Sequence, residues 1–356
     1  MDDFGSRVRE ALSAQGMSMR GAAKALHYDP AYLSRALNGK QSPSAELIQA
    51  LDELLGTEFA EPVDEPTDTL DGPAYVRSTV AHLLDHDRRY GGDHVADAAM
   101  QVWKSEQRKL NSTTDPHKEY LAAVAEIAQV AGWILFDANR QEEARQAFIE
   151  SQMLARHAGD KSMTWFSMDM LAMQDINSEL LGEALRIADE LLTQPKIPKR
   201  VVLLARVRRA RALAQAGDRT RAIAEVGKAK SQLQDSIDER APHWTWWVDE
   251  IEVTGHEAEV LISLGEPAAA IPFLQHTIEL LPSPIGRGAL YYGVAELTAL
   301  ATAQAWRDAE HTLTRLAPIL QNVTSGRSRM RLKGTLRIIE RDAPSWLADH
   351  AKDITA

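Results

Sequence analysis

Apolar residues recur at three- and four-residue steps along most of this 356-residue chain, and they do not alternate over any length useful for a strand. Phe4, Val8 and Leu12 step by four. Ala22, Ala23 and Leu26 follow Ser18 as a candidate N-cap, Leu33 and Leu37 follow Asp29-Pro30, and Leu47, Leu51, Leu54 and Leu55 follow Ser44. Four short helices are therefore expected within residues 1–56, with a three-residue turn between the second and third. After Pro73 the chain is rich in alanine and leucine at helical spacing. The expected fold class is all-α, with an N-terminal domain of four to five helices followed by an array of helical hairpins.

Aligning Ala144, Ala184, Ala222, Ala270 and Ala309 exposes a repeating unit. Twelve residues before them lie Gly132, Ala172, Ala210, Ala258 and Leu297, small in four cases. Four residues after them lie Phe148, Ala188, Val226, Leu274 and Leu313, all apolar. A hairpin cannot cover its own apolar stripe, so such units stack into a solenoid. An irregular helical bundle with alanine-rich faces is the alternative. Asp175 stands where the second copy should carry a packed apolar residue. Residues 73–110 read as one more helix pair, broken at Gly91-Gly92.

Charge refines this division. The net charge of −11 is unpromising for a nucleic-acid partner, but the segment 57–73, TEFAEPVDEPTDTLDGP, holds six acids, no bases and three prolines. It reads as an extended linker. Within residues 18–44, Arg20, Lys24, Arg35 and Lys40 face the single acid Asp29, and local charge is what a phosphate backbone meets within a Debye length. The expected domains are thus 1–56, the linker 57–73, a repeat domain 74–345 and a tail 346–356.

Residues 4–56 resemble the phage-repressor (XRE) type of helix-turn-helix domain. The resemblance is carried by Gly16-Met17-Ser18, Ala22-Ala23 and Leu26, Leu33-Ser34-Arg35, and Asn38-Gly39-Lys40 followed by Pro43-Ser44. It implies a third helix in the major groove of double-stranded DNA, with Pro30, Ala31, Tyr32 and Arg35 at or beside base edges. Pro30 and Ala31 cannot hydrogen-bond a base, so discrimination falls on Arg35, which can grip guanine bidentately. Ser18, Asn38 and Lys40 take phosphate-facing positions. Met19 stands where many relatives carry a glutamine, with Arg20 as its neighbour and substitute. The structural alternatives are a solvated charge at Arg35 and a plain helix C-cap at Asn38. The resemblance also implies a homodimer on paired half-sites.

The hairpins resemble tetratricopeptide repeats, most clearly over residues 210–229 and 258–282. That resemblance implies a concave face built by the first helix of each hairpin. Its expected lining includes Gln129 and Trp133; Phe166, Asp169 and Met173; Leu204, Val207 and Arg211; Glu252, Gly255 and Glu259; and Tyr291 and Val294. Asp137 and Asn177 lie further along. Such a mixture suits a peptide or a small-molecule effector, although Trp133, Phe166 and Met173 fit a solenoid core equally well. In the cluster His243-Trp244-Thr245-Trp246-Trp247, three tryptophans cannot share one helical stripe, so at least one is expected to be exposed or to meet another chain. The combined architecture resembles the peptide-sensing (RRNPP-like) regulators of Gram-positive bacteria, and residues 73–110 resemble a segment found in actinobacterial regulators.

Other chemistries find little support. With zero cysteines there is no thiolate metal site and no disulfide. His256-Glu257 lacks the second histidine of a zincin motif, and His82 with His86 has no defined third ligand. No phosphate-binding glycine loop occurs, so neither an enzyme nor a cofactor is expected. The acidic N-terminus is no signal peptide. Residues 122–136, the most apolar stretch, are broken by Glu126 and Gln129, so no membrane span is expected and the location is read as cytoplasmic. The expected function is that of a homodimeric, sequence-specific transcription regulator with a sensing repeat domain. The alternative is an adaptor, localised on DNA, whose repeats recruit another protein.

Overall fold

The structure, a computed structural model, describes residues 4–26, 30–38, 45–57, 72–237 and 241–355. The chain divides into two units, residues 1–70 and 71–356. Among the described residues all regular structure is helical.

The first unit holds α1 (Phe4–Ala14), α2 (Met19–Ala25), α3 (Pro30–Leu37) and α4 (Ala45–Leu55). Val8, Leu12, Ala22, Ala23, Leu33, Leu37, Leu47, Leu51 and Leu55 are buried together, so the four sequence stripes converge on one small core. Ala22 and Ala23 are fully enclosed, and their small size lets α2 lie against α3. Ser18 caps α2, its Oγ accepting from the Gly21 amide at 3.1 Å. The expected caps Asp29 and Ser44 lie outside the described residues.

The second unit opens with α5 (Gly72–Tyr90) and α6 (Ala96–Asn111). Five hairpins follow: α7 (Lys118–Asp137) with α8 (Gln141–Ala158), α9 (Lys161–Asn177) with α10 (Leu181–Thr193), α11 (Lys199–Gln215) with α12 (Arg219–Ser231), α13 (Glu250–Ser263) with α14 (Pro267–Glu279), and α15 (Arg287–Thr302) with α16 (Trp306–Asn322). The five aligned alanines each sit on a second helix and are fully buried. A Cβ at Gly132 would collide with the Phe148 ring, which shows why the facing position must be small. Five residues before each aligned alanine, the turn carries one left-handed residue: Asn139, Glu179, Gly217, Gly265 and Gln304. The hairpins thus share their turn geometry even where the glycine is absent.

One expectation is corrected, and two features of the sequence are accounted for. The segment 346–356 is no tail: α17 (Gly326–Asp342) and α18 (Ser345–Thr355) form a further helix pair, with Leu347 and Ala351 buried in it. Asp175 is fully buried without breaking the second hairpin, because Arg145 of α8 reaches it and also binds Glu183 of α10 at 2.7 Å. Burial nevertheless pushes the Asp175 carboxyl up to about 6 against the pull of Arg145. Finally, α7 is long and apolar enough by length and composition to cross a bilayer, but two-thirds of it is buried among its neighbours as a core helix.

The last helices return to the first. Arg77 pairs with Glu119 at 3.0 Å and the Gly92 amide donates to Asp137 at 3.3 Å, so α5 and α7 lie side by side in the same direction. At their far ends the Thr324 amide donates to the Tyr90 carbonyl at 2.8 Å, and the Gly326 amide donates to Asp93 at 2.7 Å. Ser325 Oγ donates to Asp137 at 3.0 Å. The first helices α5, α7, α9, α11, α13, α15 and α17 therefore form a closed circuit, clasped at the turn between α16 and α17.

Gly91 sits in this clasp at φ +82°, and a Cβ there would collide with the Thr324 carbonyl. Gly91→Ala is expected to lower stability by more than the roughly 1–3 kcal/mol of left-handed strain and to speed hydrogen exchange at Thr324; unchanged melting would contradict the clasp. Glu179→Gly, at φ +59°, should instead leave stability unchanged or slightly raised, because glycine removes the αL strain; a loss above about 1 kcal/mol on thermal melting would contradict the turn assignment.

Candidate nucleic-acid interface and repeat-domain interior

In the first unit Ser18, Met19 and Arg20 stand together, exposed, at the start of α2. The Ser18 oxygen accepts the cap bond, which leaves its O–H free to donate to an external acceptor. Asn38 is exposed and follows α3. Its Nδ2 donates to the Ser34 carbonyl at 2.8 Å, while its Oδ1 accepts from Arg9 at 2.5 Å. Arg9 also donates to the Leu37 carbonyl at 2.7 Å, so α1 holds the end of α3 and the C-cap reading of Asn38 has a physical basis. Pro30, Ala31, Tyr32 and Arg35 lie on α3, but their side chains are outside the described residues, as is Lys40.

Inside the repeat unit the expected lining residues separate into groups. Leu204, Val207 and Val294 are fully buried between helices and line nothing. The polar inner residues of α11 are Arg208 and Arg211, so the expected triplet is displaced by one residue at its centre. Phe166 is occupied by this chain: Trp244 stacks on it at 4.4 Å, with ring planes 7° apart. Trp244 is buried and its Nε1 donates to Ser162, whereas Trp246 is 68% exposed, which answers the expectation raised by the tryptophan cluster. Met173 is half-buried against the core around α7. Asn177 is exposed at the end of α9.

The remaining candidates join a charged network that spans the circuit. Asp169 accepts from Arg208 at 3.1 Å, and Arg208 also approaches Glu252 at 3.4 Å. His256 lies between two arginines, its Nδ1 2.9 Å from Arg211 and its Nε2 2.9 Å from both Arg208 and Glu252. A neutral ring that accepts at Nδ1 and donates to Glu252 fits these partners best. Burial lowers the His256 pKa, and the two arginines reinforce this against Glu252. Glu259 accepts from Tyr291 at 3.0 Å and from Arg331 at 2.5 Å, and lies 3.7 Å from Arg211. Trp133 Nε1 donates to Asp87 at 2.9 Å, and Arg287 binds the same oxygen at 3.1 Å while lying 4.6 Å over the Trp133 ring. Arg327 lies 4.7 Å over the Tyr291 ring and reaches Asp137 at 3.4 Å.

Sequence reasoning missed Asp87, Arg208, His256, Arg287, Arg327 and Arg331. Asp87 and the α17 arginines belong to helices outside the five recognised hairpins. The one-residue displacement on α11 hid Arg208. A usable signal was present in the charges at four-residue spacing, Arg327 and Arg331 on α17 and Glu252 and His256 on α13. In this interior both amide atoms of Gln129, Oδ1 of Asp87 and Nε of Arg327 are buried without a partner. Such groups ordinarily meet water or a ligand. Among the described residues no group of three metal-ligating side chains comes together.

Residues 3–65 match the family model described as a helix-turn-helix domain. No curated protein matches the chain. Among solved structures, that of Bacillus thuringiensis PlcR in complex with the peptide PapR7 and DNA is similar at 12% identity and a TM-score of 0.39, covering 79% of this chain and 95% of that one. The N-terminal unit is a helix-turn-helix domain, the kind of unit with which transcription regulators bind DNA.

The network predicts a pH signature. Burial alone would raise the Glu259 carboxyl, but Arg331 and Arg211 hold it down to about 2. A carboxyl lowered on folding stabilises above its ordinary value of 4.5, and that contribution is lost as pH falls towards 2. Asp169 has the opposite sign: burial raises it to about 6, so its own contribution declines as pH rises from about 4 to 6. Glu259→Gln should destabilise by roughly 3–5 kcal/mol at pH 7, since two arginines lose their partner. In urea titrations the difference from wild type should shrink below about pH 4.5, and a gap constant with pH would contradict the pairing.

Proposed function

We propose that this chain is a homodimeric, sequence-specific DNA-binding transcription regulator whose repeat unit senses a peptide or small-molecule effector. The observation that carries the DNA-binding part is the helix-turn-helix match over residues 3–65, together with a capped α2 packed on α3. In this reading α3 enters the major groove with Arg35 reading guanine. Ser18, Arg20 and Asn38, with Lys40, hold phosphates, which fixes register without reading sequence. Met19, 37% exposed beside them, adds apolar contact. A single such unit makes a small interface, and two-fold pairing places half-sites about 34 Å apart or at a multiple of that.

Sensing is supported by the interior of the repeat unit. Gln129, Asp87 and Arg327 offer unpartnered donors and acceptors there, beside the Trp133 and Tyr291 rings that Arg287 and Arg327 cover. An effector that satisfies those groups stabilises whichever arrangement of the circuit admits it, and thereby shifts the population of DNA-competent protein. The adaptor reading has one supporting feature: Ile149 and Met153, one turn apart on α8, are each about half exposed.

Arg35→Ala tests the reading residue. Duplexes selected from a random pool should lose about 1–3 kcal/mol of specific affinity, while binding to unrelated sequence and thermal melting stay unchanged. Selectivity equal to wild type in a footprinting competition would remove Arg35 from that role.

A further inference from the structure

We propose that the outward face of α17 is a second DNA contact, a short cationic track for the phosphate backbone of double-stranded DNA. The proposal rests on the DNA-binding reading above but uses a different surface. α17 carries Arg327, Arg329, Arg331, Lys333, Arg337 and Arg341. Arg327 and Arg331 turn inwards to Asp137 and Glu259, and Arg341 pairs with Asp342 in the last turn. Arg329, Lys333 and Arg337 face outwards at four-residue spacing and are exposed, and no carboxylate among the described residues pairs with them.

Local helix energetics do not account for this row. Cations stabilise the last turn of a helix and acids the first, yet α17 has no acid in its first turn and begins with Arg327 and Arg329. The inner arginines are explained by their buried partners; Arg329 and Lys333 have no such partner. Gly334 lies on the same surface, exposed in mid-helix, and a Cβ there would meet nothing within 4 Å. Glycine at such a position costs about 1 kcal/mol relative to alanine, with no internal packing reason to retain it. Its effect is to keep the row low where another backbone can approach.

Side chains four apart on a helix stand roughly 5–6 Å from one another, so this row suits a line of charges better than a single carboxylate. In a chain of net charge −11, a bare cationic row is matched by a polyanion. DNA is the polyanion this chain's own N-terminal domain brings. Contacts of this kind add affinity and salt dependence without adding sequence preference.

The test uses the full chain, a random-sequence duplex and the selected operator, with binding titrated across salt. The triple variant Arg329→Gln, Lys333→Gln, Arg337→Gln should melt like wild type. It should lower the slope of log affinity against log salt by about two to three for each protomer on the duplex, near 0.9 per lost phosphate contact, and weaken both duplexes alike. An unchanged slope overturns the track, as does an unchanged slope with a lower sedimentation mass, which would give the row to an acidic surface of a second copy. Operator binding that Arg35→Ala weakens and the triple variant leaves intact overturns the track alone. A wild-type chain that binds neither duplex overturns the DNA-binding reading with it.

Discussion

Charge placed inside a closed circuit must find its opposite there, and the repeat unit is organised around that constraint. A bare ion in such surroundings is prohibitively costly, whereas a paired and hydrogen-bonded one is tolerated. The inner wall accordingly matches Arg208 with Asp169 and Glu252, Arg331 and Arg211 with Glu259, Arg287 with Asp87, and Arg327 with Asp137. Several of these pairs join helices far apart in sequence. Asp87 and Arg287 are separated by 200 residues, and Asp137 and Arg327 by 190, so these pairs also fix the end-to-end closure. The clasp of Gly91, Asp93 and Ser325 surrounds them with backbone hydrogen bonds.

The local part of this architecture was legible. Alanine recurrence marked the five hairpins, because two helices crossing closely need a small residue at a fixed register, and that requirement survives replacement of the turn glycine by Asn139, Glu179 or Gln304. The helix-turn-helix core was legible for the same reason, through Ala22, Ala23 and the leucine steps. Closure was not legible. It depends on pairings such as Tyr90 with Thr324, which leave no periodic mark, and on α17 and α18, whose sequence departs from the repeat. The interior was half legible: Gln129, Trp133, Asp169, Arg211, Glu252, Glu259 and Tyr291 were named, but Asp87, Arg327 and Arg331 sat on helices outside the recognised units and Arg208 one residue away. Phe166 was left between lining and core because nothing local reveals that Trp244, 78 residues later, stacks upon it.

These features divide the work of the chain. The N-terminal unit is small, held by a leucine and alanine core, and presents exposed polar groups at the start of α2. The interior of the repeat unit sets unpartnered polar atoms of Asp87, Gln129 and Arg327 beside a buried electrostatic network. A network of that type has few intermediate arrangements, since removing one partner strands another. That property suits a switch, and it ties the inner network to the integrity of the closure.

The proposed function is that of a ligand-responsive regulator that reads specific DNA. Its most direct test is capture of the DNA bound by this protein in its native cell, followed by titration of the recovered site with and without cell extract. The account predicts a shared paired motif whose affinity shifts when extract is added. Recovered fragments with no common motif would contradict it at its foundation, and a motif bound equally in both conditions would contradict the sensing role of the repeat unit.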